Sequence, residues 1–453
     1  MRKVFIAVLF VLALLVGVGG MLGITPRYVL ATPAVATGIG AKLLCSARYV
    51  SSFPAEKAFD DLVQYSPALQ YLSIDYDDDA KTVSTSFFGL SHSQARYLPG
   101  IGCANEFDQE HEREALKSNE IARLASHWPH GNRVESKQAP MQALLEEVLT
   151  QDNQLGLNTR ALLLVHNGHI LAEAYDQGSG PNTPLLGWSM AKSLMSVMLG
   201  NLALRGKLDP QHTPLFPSWA NDSRSDIRLE DLLHMSDGLA FSEEYNPGDD
   251  ATAMLFTEPS ASAYALGKPL IHPPGTHFNY SSGTANLLSR LYFEHTGGNL
   301  QAAYDDYVEN IFIPLSFQDA IFETDAIGVF VGSSYFYASA RDWARLGQLM
   351  LNEGEINGRR IVSKEWVAQS TQINSTENNK AYGYQWWLNE GGTSLRWPSL
   401  PADTFAATGN RQQYLMVVPS MQVVIVRLGW TSGSYPANEN FARILDSVKT
   451  DGQ

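Results

Sequence analysis

The sequence predicts an α+β domain: an antiparallel sheet flanked by helices, with a helical subdomain beside it, behind an N-terminal apolar segment. Two observations carry this. Strand pairs stand at both ends of the region 141–453, and helix-forming stretches fill the space between them. At the front, Ala161–Val165 and Ile170–Tyr175 enclose His166-Asn167-Gly168-His169, and Asn-Gly between apolar runs is a strong hairpin signal. At the back, Gln413–Val418 and Gln422–Leu428 are apolar strands joined at Pro419-Ser420, preceded by TFAATGN over Thr404–Asn410. The two hairpins are expected to share one sheet, with the candidate site where that sheet meets the helical insertion.

The N-terminus is read next. Arg2 and Lys3 precede Val4–Ile24, an uncharged and mostly apolar run of 21 residues, which suffices to cross a bilayer as a helix. The expectation is an uncleaved anchor with the basic residues kept cytoplasmic. The alternative is a signal peptide cut near Ala34-Val35-Ala36. Three regions follow: 1–36 as anchor or signal and linker, 37–140 as an accessory region, and 141–453 as the catalytic domain. Cys45 and Cys103 are the two cysteines, both in the accessory region, and export makes a disulfide between them the expected state. Within that region Val83–Phe88 alternates as a strand does, and Asp75–Asp79 reads as a solvated turn without calcium-loop spacing.

The chain is 44% hydrophobic and 17% charged, with a net charge of −15 and no clustering of its basic residues, which argues against nucleic acid as a partner. Met141–Thr150 reads as an amphipathic helix, as do Ile227–Leu239 and Ser334–Leu351, and Asn438–Val448 closes the chain as a helix. Gly354–Trp366 reads as a turn and a short helix, and the aromatic run Tyr382–Leu388 suits either a pocket wall or a core.

Chemistry concentrates in Gly187–Gly200, GWSMAKSLMSVMLG. Ser189 and Lys192 are three apart at the start of an apolar helix, so their side chains share a face. A serine hydroxyl needs a base to become a nucleophile, and lysine serves when burial lowers its pKa. No other lysine in the sequence has a serine three positions before it. A nucleophile elbow of the G-x-S-x-G kind requires a strand before the serine, and GSGPNTPLLGW reads as a loop. The loop His272–Gly283 delivers Tyr280 and Ser282. A tyrosine beside Lys192 is expected to have a lowered pKa and to shuttle a proton. Ala407-Thr408-Gly409 offers a strand for substrate to lie along, with the N–H groups of Asn410 and Ser189 as an oxyanion hole.

Ser189-Met-Ala-Lys192, Tyr280-Ser-Ser282 and Ala407-Thr-Gly409 fall in the order seen in the penicillin-recognising serine hydrolases. With the phrases LLLVHNGHILAEAY, LEDLLHMSDGL, ASARDWARLGQLMLNEG and VVPSMQVVIVRLG, the chain over about 140–450 resembles their class C β-lactamase-like esterases and 6-aminohexanoate-dimer hydrolases. The resemblance implies a β-lactamase/transpeptidase-like fold, with Ser189 as acylated nucleophile, Lys192 as base and Tyr280 assisting proton transfer. It implies a small ester or amide substrate and no metal or organic cofactor. It also suggests a bacterial inner-membrane protein with a periplasmic catalytic domain, or a secreted or periplasmic one if the leader is cut. Two positions depart from the family pattern: Ser282 stands where asparagine is usual, and Ala407 where lysine is usual. Arg411 is the candidate replacement for that missing cation, provided it points into the site. These departures favour esters or amides over β-lactams; the alternatives are a β-lactamase or D-amino-peptide hydrolase, or a non-catalytic protein of the same fold that binds cell-wall peptides.

Overall fold

The computed structural model describes residues 25–107, 115–117, 124–135 and 137–450. The apolar run Val4–Ile24 lies outside the described residues. The first element is the helix Pro26–Tyr49, capped by the Thr25 hydroxyl and started by proline at its first position. It crosses the boundary expected at residue 36. Val35 and Ala36, of the cleavage-like Ala34-Val35-Ala36, are buried within it. Although apolar and long enough to span a membrane, this helix is mostly buried inside the protein. It lies on a four-stranded antiparallel sheet in the order β1 (Leu72–Asp77), β2 (Thr82–Phe87), β3 (Ser91–Leu98), β4 (Gly102–Glu106). The Cys45–Cys103 disulfide joins helix to sheet. Asp77 ends β1 and caps the acidic turn through the Asp79 and Ala80 N–H groups, while Asp78 pairs with Arg48.

This N-terminal unit shares one hydrophobic core with the rest of the chain. Gly38 lets the helix backbone approach Phe256 so closely that a Cβ there would lie 2.2 Å from the Phe256 carbonyl oxygen. The buried Lys42 ammonium meets the buried Glu323 carboxylate, which also accepts from the Ser46 hydroxyl and the Cys103 N–H. Asp61 pairs with Arg160, and its carbonyl accepts from the Trp430 indole.

The main sheet has six antiparallel strands in the order β12 (Trp387–Leu388), β13 (Phe405–Gly409), β14 (Gln413–Val418), β15 (Val423–Gly429), β5 (Thr159–His166), β6 (His169–Tyr175). The first and last hairpins of the region therefore share a sheet through the β15–β5 pairing, Val424 opposite Val165. Helices Ala139–Gln154 and Ala437–Thr450 cover one face, enclosing Met141, Leu145, Phe441 and Leu445. A small sheet in the order β7 (Leu185–Leu186), β9 (Phe336–Ala338), β8 (Ile321–Phe322) and a hairpin of β10 (Glu355–Ile356) and β11 (Arg359–Arg360) complete the strands described.

Four expectations are corrected. Leu185–Leu186, expected as loop, is a short strand paired with β9. The helix expected over 334–351 begins at Ala340. Phe336–Ala338 takes its place in the small sheet, and the Ser339 hydroxyl caps the helix at the Asp342 N–H. The helix expected over 227–239 is confined to Leu229–Leu233. Met235 then turns left-handed at φ 56°, and Asp237 caps the Leu239 N–H, so local side-chain bonding replaces the next helical turn. Ser282 opens a helix, Ser282–His295, capped by the Ser281 hydroxyl, where only a loop had been expected.

Candidate active site

The turn Trp188–Met190 carries Ser189 into the helix Ala191–Leu204. This turn is held from both sides by close backbone approach. A Cβ on Gly187 would lie 2.2 Å from the Trp343 ring, and one on Gly409 would lie 2.1 Å from the Gly187 carbonyl oxygen. Glycine at both positions thus lets the end of β13 press against the serine turn. Trp188 takes φ 48°, in the left-handed region.

Lys192 is buried, and its Nζ donates to three oxygens: Ser189 Oγ at 3.0 Å, Ser282 Oγ at 3.1 Å and the Ser333 carbonyl at 2.9 Å. Burial draws its pKa down from 10.5 to about 8, against the opposing pull of the Glu243 carboxylate. Ser282 in turn donates its hydroxyl to Glu243 Oε1 and its N–H to Glu243 Oε2, each at 2.6 Å. The Tyr245 hydroxyl completes the acceptance at Glu243 with a 2.9 Å bond.

Tyr280 is held by ring contacts. Trp387 stacks on it at 5.2 Å between ring centres with 23° between planes, and Tyr382 meets it edge-on at 5.9 Å. Its loop is pinned by Asn279 N–H to the Met235 carbonyl and Phe278 N–H to Asn378 Oδ1, both at 2.8 Å. The Lys192 ammonium lies 4.9 Å from the centre of the Tyr280 ring, over its face. The expected lowering of the Tyr280 pKa is overturned. Burial raises it above 10.0, the Glu243 charge adds to the rise, and a hydrogen bond with Ser189 only partly opposes them. Tyr280 therefore stays a neutral phenol through the neutral range.

The structure thus brings together Ser189, Lys192, Tyr280 and Ser282, with Thr408 and Gly409 at the end of β13 and Asn410 just beyond it. Arg411 is placed differently. It turns left-handed at φ 59°, and its guanidinium sits 3.9 Å from the centre of the Tyr65 ring, on the N-terminal unit. Tyr65 also contacts Trp188 and Trp430 edge-on. Ala407 is buried and apolar, so the cation usual at this motif has no replacement in Arg411. Of the aromatic run, Trp386 and Tyr382 fill core and Trp387 faces Tyr280.

Sequence reasoning missed Glu243 and the Ser333 carbonyl. Glu243 sits in EEY with no motif around it, and a backbone acceptor leaves no mark on residue identity. Among the described residues, no group of three or more His, Cys, Asp or Glu is placed to hold a metal ion. His166 and His169 face each other across their hairpin turn, where Asn167 and Gly168 both take positive φ.

The chain is 27% identical over 285 residues to the 6-aminohexanoate-dimer hydrolase of Paenarthrobacter ureafaciens, covering 60% of this chain and 72% of that protein. Among solved structures, a Bacillus anthracis protein proposed to be a 6-aminohexanoate-dimer hydrolase superposes with a TM-score of 0.55 at 19% identity, covering 86% of this chain and 94% of that one. A family VIII carboxylesterase gives 0.55 at 13% identity, covering 70% of this chain and 100% of that one. A class C β-lactamase gives 0.53 at 13%, covering 70% and 99%. These structural likenesses show the β-lactamase/transpeptidase-like fold. The Beta-lactamase family profile matches residues 141–448, and the chain belongs to that family of serine hydrolases.

Proposed function

We propose that the chain hydrolyses an ester or amide of a small acyl substrate through a covalent acyl-enzyme on Ser189. The observation that carries this reading is the buried Lys192 amine, 3.0 Å from Ser189 Oγ with its pKa drawn down to about 8. A neutral fraction of that amine is available near neutral pH. It takes the Ser189 proton as Oγ attacks the substrate carbonyl, and the N–H groups of Ser189 and Asn410 receive the oxyanion. Collapse of the tetrahedral intermediate expels the alcohol or amine, which takes a proton from Tyr280 or Lys192. Water then attacks the acyl group by the same steps in reverse.

Ester or amide is favoured over β-lactam because Ala407 offers no cation and the Arg411 guanidinium lies on Tyr65. The hydrolysis named for the Paenarthrobacter relative supports the same choice. The test is intact-mass analysis after exposure to a fluorophosphonate, with the adduct mapped by peptide. A Ser189 adduct that disappears in Lys192→Ala supports the proposal. A folded protein that takes no adduct, and turns over p-nitrophenyl esters no faster than Ser189→Ala, overturns it.

A further inference from the structure

The N-terminal sheet has two ends of opposite character. At one end the β1–β2 turn is acidic, Asp77-Asp78-Asp79, and Arg48 from the end of the first helix binds it. At the other end the β2–β3 turn is Phe88-Gly89-Leu90, with Phe88 68% and Leu90 73% exposed. Tyr71, 57% exposed, packs its ring 5.8 Å from that of Phe88.

The position of this apolar tip follows from two contacts. Thr37 of the helix bonds Ser91 and Ser93 at the start of β3, and Cys45 joins Cys103, which is paired with Tyr97 near its end. Helix and β3 therefore run in the same sense. The residues just before Ser91 lie beside the N-terminal turns of the helix, where Val29 and Leu30 are 57% and 81% exposed. Five large apolar side chains thus stand at one end of the molecule, next to the point where the 21-residue apolar run Val4–Ile24 joins the body.

Backbone geometry at the tip adds a separate argument. Phe88 takes φ 50° and Gly89 φ 70°. Positive φ at the first turn position suits Asn, Asp or Gly, and a bulky L-residue is strained there. The Phe88 ring meets the protein through Phe87 and Tyr71, at 4.8 and 5.8 Å between ring centres, and otherwise faces outward.

We infer that the apolar run Val4–Ile24 enters a phospholipid bilayer and that Val29, Leu30, Tyr71, Phe88 and Leu90 form a seat in its interfacial layer. The location of the junction is the argument for lipid: chain leaving the body at Thr25 into a bilayer brings this end, and not the acidic one, to the headgroups. Aromatic side chains on an exposed turn suit that layer. The same seating sets the orientation of the site. A Cβ on Gly248 would meet Arg27 and Ala31 of the helix at 3.2 and 3.1 Å, and Gly248 belongs to the loop that carries Glu243 and Tyr245. One wall of the Ser189 site thus lies toward the membrane.

The test uses the full chain reconstituted in phosphatidylethanolamine–phosphatidylglycerol vesicles. Nitroxide labels are placed by Phe88→Cys, Leu90→Cys and, as a remote control, Leu155→Cys, with the Cys45–Cys103 bond checked by mass. Labels at 88 and 90 are expected to relax with dissolved oxygen several-fold more than with a water-soluble nickel chelate, and the label at 155 to show the reverse. Water-like accessibility at 88 and 90 overturns the seat. Protection there from both reagents also overturns it, because it would mean a protein partner or a second copy covers the patch. Leu30→Cys gives an independent reading should either turn variant fail to fold.

Discussion

Ser282 gives both its hydroxyl and its backbone N–H to the carboxylate of Glu243, each at 2.6 Å, while accepting from Lys192 at 3.1 Å. A full negative charge thus reaches the buried ammonium through one hydroxyl. Glu243 raises the Lys192 pKa against the lowering by burial. In Glu243→Gln the pH at which kcat/KM for a p-nitrophenyl ester reaches half its plateau should therefore move down. An unmoved profile would show that Glu243 only braces the loop.

The wild-type profile follows from the same lysine. Only the neutral amine accepts the Ser189 proton, so kcat/KM should rise with pH through about 8. Lys192→Ala should lower it by about 10³-fold.

Stability should move in the same direction with pH, over the window just above. The folded pKa of Lys192 is depressed from 10.5 to about 8, so between those values the unfolded chain holds a proton that the folded chain lacks. Stability should rise with pH across that window, and below pH 8 the cost of the buried charge is present in full. Lys192→Met should abolish turnover yet raise Tm at pH 7 by about 2 °C. A fall in Tm would mean that the bonds to Ser189, Ser282 and Ser333 outweigh desolvation.

Tyr280 stays protonated at neutral pH because burial and the Glu243 charge raise its pKa. Tyr280→Phe should lower kcat by about 100-fold and leave the inflection near 8 in place. A tyrosinate base would instead remove that inflection.

The Lys42–Glu323 pair is buried on both sides. Glu323→Gln should cost about 3–5 kcal/mol in denaturant melts, since it removes the carboxylate charge that the buried Lys42 ammonium meets. The double change Lys42→Met with Glu323→Leu should cost far less.

Legibility in the sequence followed the range of the interactions. Ser189 and Lys192 are three residues apart, so helical geometry alone brings them together, and the Asn167-Gly168 hairpin declares itself through turn chemistry. Tyr280 is legible from its place in the order of motifs, but the direction of its pKa shift is not. The reading counted the attraction of a neighbouring ammonium and could not see the burial and the Glu243 carboxylate that outweigh it. Glu243, Ser333 and the Arg411–Tyr65 contact join residues far apart in sequence, with no periodicity to reveal them. The helix expected to continue past Leu233 failed for a local reason, because Asp237 bonds its own neighbourhood.

The ion pair between Lys42 and Glu323 spans 281 residues of sequence. In a chain made from its N-terminus at about 5–20 residues per second, Lys42 emerges roughly 15–55 s before its counter-charge exists. Throughout that interval the first helix lacks Glu323 and Trp430, and for most of it Phe256, the groups that enclose its unit. The buried ion pair that fixes the helix therefore cannot form until most of the chain has been made. An element made first is thus completed by a contact made late in the chain.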